Sequence, residues 1–183
     1  MSQVAEELGT PRWLSSEEQS FWRAYLRGSR LLDDALNEAL TSYGTQLTEY
    51  ELISMLSEAP EGRLRMSQLA DRIVQSRSRV THTAARLEQR GWVLREACLN
   101  DRRGVELVLT EAGREAIEGM AWAHVKSVRD SLVDVLTPEE FAALGSAMAK
   151  VRDHLRPGHD EYGTAIGSAV ADEPCPDEAL SCP

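Results

Sequence analysis

Apolar residues recur at helical spacing along most of this 183-residue chain, and one interval switches to the alternation of strands. In "SSEEQSFWRAYLRGSRLLDDALNEALTSYG", Phe21, Tyr25, Leu32, Leu36 and Leu40 fall on one helical stripe. Ser15 and Glu18 form a capping box at its start, so a long helix is predicted from Ser15 to Tyr43. "TEYELISMLSEAP" repeats this grammar, with Thr48 as cap, Glu51 at the third helical position, and Tyr50, Ile53 and Leu56 turned inward. Pro60 and Gly62 end it. "RLRM" is long enough for one edge strand only, and "SQLADRIVQ" reads as a compact helix with Leu69, Ala70 and Ile73 on one side. Ser76 caps the next helix. "WVLREACLNDRRGVELVLT" then reads as a hairpin: Trp92 to Cys98 is one arm, "NDRRG" the turn, and Val105 to Leu109 the other arm. Thr110 caps a second long helix striped by Ile117, Met120, His124, Val128, Leu132 and Val135. "TPEE" at Thr137 places a cap before a first-turn proline and opens a last helix. Phe141, Leu144, Met148, Val151 and Leu155 give that helix a heptad-like seam. The expected fold is mainly α with a small β hairpin, without internal repeats. It is divided into an N-terminal tail (1–13), one domain (14–156) and a Pro/Gly-containing acidic tail (157–183) expected to be disordered.

Charge changes this picture. The chain carries a formal net charge of −10. From Glu61 to Arg103 there are ten Arg against five carboxylates, a local +5, which leaves −15 for the rest. From Pro157 onward there are six carboxylates and no Lys or Arg. Such a balance argues against loose polyanion binding and for a positioned basic face. No apolar run reaches the roughly 20 residues of a membrane helix. "MSQVAEELGTPRW" lacks the basic and apolar regions of a signal peptide, so a cytoplasmic protein with reduced Cys98, Cys175 and Cys182 is expected.

The centre of the basic region is "SRSRVTHTAARLEQRGW". On a helical wheel Val80, Thr83, Ala84 and Leu87 share one side, and Ser78, Arg79, His82, Ala85, Arg86 and Gln89 lie opposite. The opposite face is built of hydrogen-bonding groups. Arg can fork onto guanine, Gln and Ser can pair with base edges, and a small Ala permits close approach. A merely solvated amphipathic face is the plain alternative. The preceding short helix and the "QSRS" connection complete a helix-turn-helix. The hairpin tip adds Arg102 and Arg103 on a glycine turn, a shape suited to a minor groove. Asp101 beside them is either a turn-former or an acid that orients one guanidinium. Helix, turn, basic helix and arginine-tipped hairpin in this order make a winged helix-turn-helix with long flanking helices.

With "RLRMSQLADRIVQSRSRVTHTAARLEQRGWVLREACLNDRRGVELVLTEAGREA" between one long helix and two more, the chain resembles the MarR family of bacterial transcriptional regulators. The resemblance runs from about Trp13 to Leu155, and "WLSSEEQSFWRAYLR" looks like an actinobacterial branch. It implies a homodimer built from the first helix and the last two, binding a pseudo-palindromic operator in double-stranded DNA, most often as a repressor. Carried over residue by residue, it assigns Arg103 to the minor groove, with Arg102 beside it and Asp101 steadying it. It assigns Ser78, Arg79, His82 and Arg86 to the recognition helix, and Ser67, Ser76 and Arg77 to the DNA backbone. It also implies a small aromatic or anionic effector between the dimer helices and the DNA-binding lobe. Trp22, Tyr25, Arg30, Tyr50 and His124 are the candidates, although aromatics at helical spacing are more often core and His124 also reads as a hydrogen-bonded core or interface histidine.

No enzyme is expected. His82, His124, His154 and His159 do not form a ligand set, and no metal, cofactor, phosphate loop or nucleophile motif is legible. Two alternatives remain: a winged-helix protein-interaction module, and a redox-sensing regulator using Cys98. In the first hairpin arm Cys98 also reads as a small apolar filler. Trp13 either covers a partner subunit or staples its own helix.

Overall fold

The computed structural model describes residues 12–98 and 101–156, with the backbone alone for residues 101–103. The expected tail 157–183, with Cys175, Cys182 and His159, lies outside the described residues, as does most of the N-terminal tail. Six helices and a three-stranded antiparallel sheet follow in the order α1 (Ser16–Thr41), α2 (Leu47–Ser57), β1 (Arg63–Arg65), α3 (Met66–Arg72), α4 (Arg77–Gln89), β2 (Val93–Cys98), β3 (Asp101–Leu109), α5 (Glu111–Val128) and α6 (Pro138–Leu155). The sheet order is β1-β3-β2. Leu64 pairs with Leu107 and Val93 with Leu109, which turns all four side chains onto one buried face.

Most boundaries follow from local chemistry. The Ser15 hydroxyl accepts from the Glu18 N–H while the Glu18 carboxylate accepts from the Ser15 N–H. Thr137 and Glu140 repeat this at α6, with Pro138 in the first turn. Ser76 and Thr110 cap α4 and α5 by accepting from Arg79 and Gly113 N–H. The cap of α2 is Gln46 rather than Thr48, two residues earlier than the sequence pattern indicates. The Gln46 N–H donates to Glu49 and the Leu47 N–H to Asn37 Oδ1, so α1 supplies an acceptor that local sequence does not reveal. Leu47 thereby enters the helix and packs on the core. The second hairpin arm is also longer than expected. After a bulge at Ala97/Cys98 the pairing resumes at Cys98–Asp101, so β3 starts at Asp101, inside the expected "NDRRG" turn.

The core lies under the sheet, between α2, α3, α4 and α5. Leu52, Ile53, Leu56, Leu69, Leu87 and Leu107 are fully buried. At its edge α5 meets the hairpin. Thr110 N–H donates to the Trp92 carbonyl and Thr110 Oγ1 to that of Gly91, which holds φ of +73°. The α1 stripe behaves differently from expectation: Leu40 is buried and Leu36 half-buried, while Phe21 is 65% exposed and Tyr25 44%. The expected stripe of the second long helix ends early. α5 passes into a π-helical turn at Arg129–Val133, and Val135 is exposed. The seam of α6 is exposed throughout and α6 buries no residue. Trp13 is exposed too and does not staple α1.

Gly113, in the first turn of α5, marks the tightest junction. A Cβ there would sit 2.7 Å from Leu109 Cδ1 and against the Trp92 backbone. Gly113→Ala should therefore cost about 2–3 kcal/mol of stability, as overpacking against unyielding backbone does. Urea denaturation followed by circular dichroism checks this, and a stability equal to wild type would show that the junction yields.

A candidate nucleic-acid interface

Helix α4 buries Val80, Thr83, Ala84 and Leu87 and leaves Arg77, Ser78, Arg79 and His82 exposed, as its wheel indicates. Arg77 and Arg79 form no ion pair among the described residues. They stand in the first turn, where unpaired N–H groups and the helix dipole already favour an anion. The Ser76 hydroxyl oxygen accepts the capping bond from the Arg79 N–H. Ser67, at the start of α3, is half-buried. Asp101, Arg102 and Arg103 lie at the start of β3, but their side chains are outside the described residues.

Arg86 requires a correction to the wheel. Its guanidinium turns toward α2 rather than outward: Nε donates to Glu49 Oε1 at 2.8 Å and Nη2 to Gln46 Oε1 at 3.3 Å. A long helical side chain leans toward the N-terminal turn, which here brings it to the cap of α2. Arg90 reaches the same carboxylate at 3.8 Å, donates to Thr45 Oγ1 and the Gly44 carbonyl, and lies over the Trp92 ring. Glu49 itself is 2% exposed. The sequence pattern alone does not single it out. The signal available was an acid on the stripe of Leu52, Ile53 and Leu56; its arginine partners, about 40 residues away, could not be foreseen.

Two more arginines of the basic region hold the wing. Arg95 of β2 donates to the Thr81 carbonyl and pairs with Glu88, both on α4. Arg63 of β1 pairs with Glu96 at 2.8 Å and Glu106 at 3.6 Å. Much of the local positive charge is thus structural glue. Cys98 is buried at the end of β2.

The connection between α3 and α4 is strained. Val74 adopts φ of +53°, a conformation that a β-branched residue rarely takes and that costs roughly 1–3 kcal/mol. The Gln75 N–H, bonded to the Ala70 carbonyl, holds the turn closed. Behind it opens a cleft of about 470 Å³ whose lining includes Tyr50, Glu51, Ile73, Val74 and His124. The structure therefore brings Tyr50 and His124 together, with ring centroids 4.3 Å apart. It does not bring Trp22, Tyr25 or Arg30 there. Trp22 and Tyr25 stack on each other on the exposed side of α1, and Arg30 is exposed. Burial lowers the His124 pKa, keeping the ring neutral near pH 7, and raises that of Tyr50, helped by Glu58.

The residues around this interface match the "MarR family" model over residues 46–105. The chain is 42% identical to Sco3205 of Streptomyces coelicolor, a MarR family transcriptional regulator solved in complex with DNA. That match covers 84% of this chain and 96% of the other, with a TM-score of 0.79. The chain belongs to the MarR family. AbsC, another such regulator from Streptomyces coelicolor, is also 42% identical, over 80% of this chain and 99% of AbsC, with a TM-score of 0.76. The HTH-type transcriptional regulator PecS of Dickeya dadantii (strain 3937) is 30% identical over 131 residues, 70% of this chain and 78% of PecS. As a MarR-family regulator the protein is a transcription factor with a winged helix-turn-helix, as its sequence leads one to expect.

In this MarR-family chain Glu49 is the residue that seats α4. Glu49→Ala should cost roughly 1–3 kcal/mol, because it strands two arginines that are only partly able to recover water. Arg86→Ala in the Glu49→Ala background should then cost far less than in wild type. Chemical denaturation of the double-mutant cycle reads this coupling, and additive losses would dismiss it.

Proposed function

We propose that this regulator is a cytoplasmic homodimer, not an enzyme, that binds a pseudo-palindromic operator and represses until a small molecule releases it. The DNA-binding and dimerisation domain is residues 14–156, with both tails outside it. The carrying observation is the exposed first half of α4, where Arg77, Ser78, Arg79 and His82 stand clear on a helix seated by Glu49. In this reading Ser78, Arg79 and His82 meet base edges, while Ser67, Ser76 and Arg77 meet phosphate. Arg86 acts indirectly, by holding α4 in place. Arg103, with Arg102 and Asp101, serves the wing in the minor groove. Tyr50 and His124 line the effector cleft. No helix among the described residues is long and apolar enough to cross a membrane.

A footprint on the DNA flanking its own gene tests operator binding. Once that site is known, His82→Ala and Arg79→Ala should each lose about 1–3 kcal/mol of discrimination against mismatched sites. Fluorescence anisotropy with operator and random duplex measures it. An equal loss on both duplexes would move these residues to the phosphates.

Dimerisation is supported by α6. Phe141, Leu144, Met148 and Val151 lie exposed on a helix that buries nothing in its own chain. Such an apolar seam needs a partner, and the family architecture supplies a second copy. Leu144→Asp places an unpaired charge in the seam and should yield monomer or unfolded chain in multi-angle light scattering. A stable dimer of this variant would place the interface elsewhere.

A further inference from the structure

The charge lining the cleft, together with its volume, points to a particular class of ligand. A volume of about 470 Å³ suits a ligand of one or two rings. Leu36, Leu47, Met55, Ile73 and Val128 supply apolar walls. The charged groups at the walls are Asp33 of α1, Glu51 of α2, Glu58 at the C-cap of α2, and Arg72 of α3, a net charge of −2. Arg72 already takes part in an interaction within the protein, though its Nε makes no hydrogen bond among the described residues. His124 adds no positive charge at neutral pH, and its Nδ1 is buried without a hydrogen-bond partner among the described residues. A carboxylate ligand would enter against two or three like charges, whereas an ammonium would meet complementary ones.

Glu51 is the member of this set that reaches the DNA-binding element. Its carboxylate lies 3.5 Å from Gln75 Nε2, in the strained turn next to Val74. Burial and the neighbouring Asp33 raise its pKa, and the positive charge of Arg79, in the first turn of α4, opposes them. A cation in the cleft would answer the same carboxylate that now accepts from Gln75.

Resting on the regulator reading above, we propose that the cleft takes an aromatic cation, with its ring on the apolar wall and its ammonium among Asp33, Glu51 and Glu58. Occupancy is passed to α4 because Glu51 is shared between ligand and turn. The ligand thus acts through the α3–α4 connection and need not touch DNA.

A matched pair of probes tests this on the full chain: 1-naphthylmethylammonium and 1-naphthylacetate, which share a ring and differ in the sign of charge. Isothermal calorimetry should find the cation bound about tenfold tighter or more, the scale of one favourable charge contact. In Glu51→Gln/Glu58→Gln, which keeps the shape of both side chains, the preference should fall to within about threefold. Equal or tighter binding of the acetate, no binding of either probe, or a preference that survives in the double variant overturns the proposal. In the second arm, the cation should weaken duplex binding by wild-type protein in anisotropy; binding in calorimetry with no change in duplex affinity overturns the link through Glu51. Duplex binding is measured first without probe. A protein that ignores DNA sequence at that stage sinks the regulator reading and leaves the calorimetric comparison to decide the ligand class.

Discussion

The seating of α4 on α2 depends on one buried carboxylate. Glu49 accepts from the N–H of Gln46, from Arg86 at 2.8 Å, and faces Arg90 at 3.8 Å. A charge removed from water needs this many partners, since an unpaired buried carboxylate would be too costly to keep. The last turn of α4 and its C-cap residue Arg90 are thereby bound to the start of α2, and through Arg90 to Gly44 and Trp92 as well. The outward face of the same helix is left with a defined orientation. A recognition helix needs that, because base contacts discriminate only when donors arrive at a set angle.

The uneven charge of the chain then has two explanations rather than one. Arg86 and Arg90 bind the end of α4 to α2, Arg95 binds α4 to the sheet, and Arg63 ties the strands of the sheet together. Arg77 and Arg79 face solvent and supply the free positive charge near the α4 N-terminus. A net excess of arginine in a segment is therefore a poor measure of its DNA-facing surface. Arginine suits both tasks because its planar fork can serve several acceptors at once.

The surfaces that the single chain leaves open separate into two kinds. The seam of α6 and the outer part of α1 expose large apolar side chains and call for a protein partner. The cleft behind Val74 is concave, apolar at its walls and acidic at its charged positions, and calls for something small. Its position against a strained turn matters more than its volume. Val74 holds a backbone conformation that neighbouring contacts must maintain, so a change in those contacts has somewhere to go.

Periodicity and capping alone determined the helices, the hairpin, the buried face of α4 and the exposed residues Ser78, Arg79 and His82. These are local properties, set by 3.6-residue and two-residue repeats and by the chemistry of Ser15, Ser76, Thr110 and Thr137. Family resemblance was legible for the same reason, because it resides in the run from the helix-turn-helix to the wing. What local pattern could not decide was which charges face each other. Arg86 lies on the polar side of its wheel, yet Glu49, 37 residues earlier, draws it to the protein. Gln46 displaced Thr48 as cap because α1 offered Asn37 to the next N–H. Trp22, Tyr25 and Arg30 share a helix with Asp33 and Leu36, but only the latter two line the cleft. Each of these outcomes rests on contacts between residues far apart in the chain, and such contacts exist only once the helices have packed.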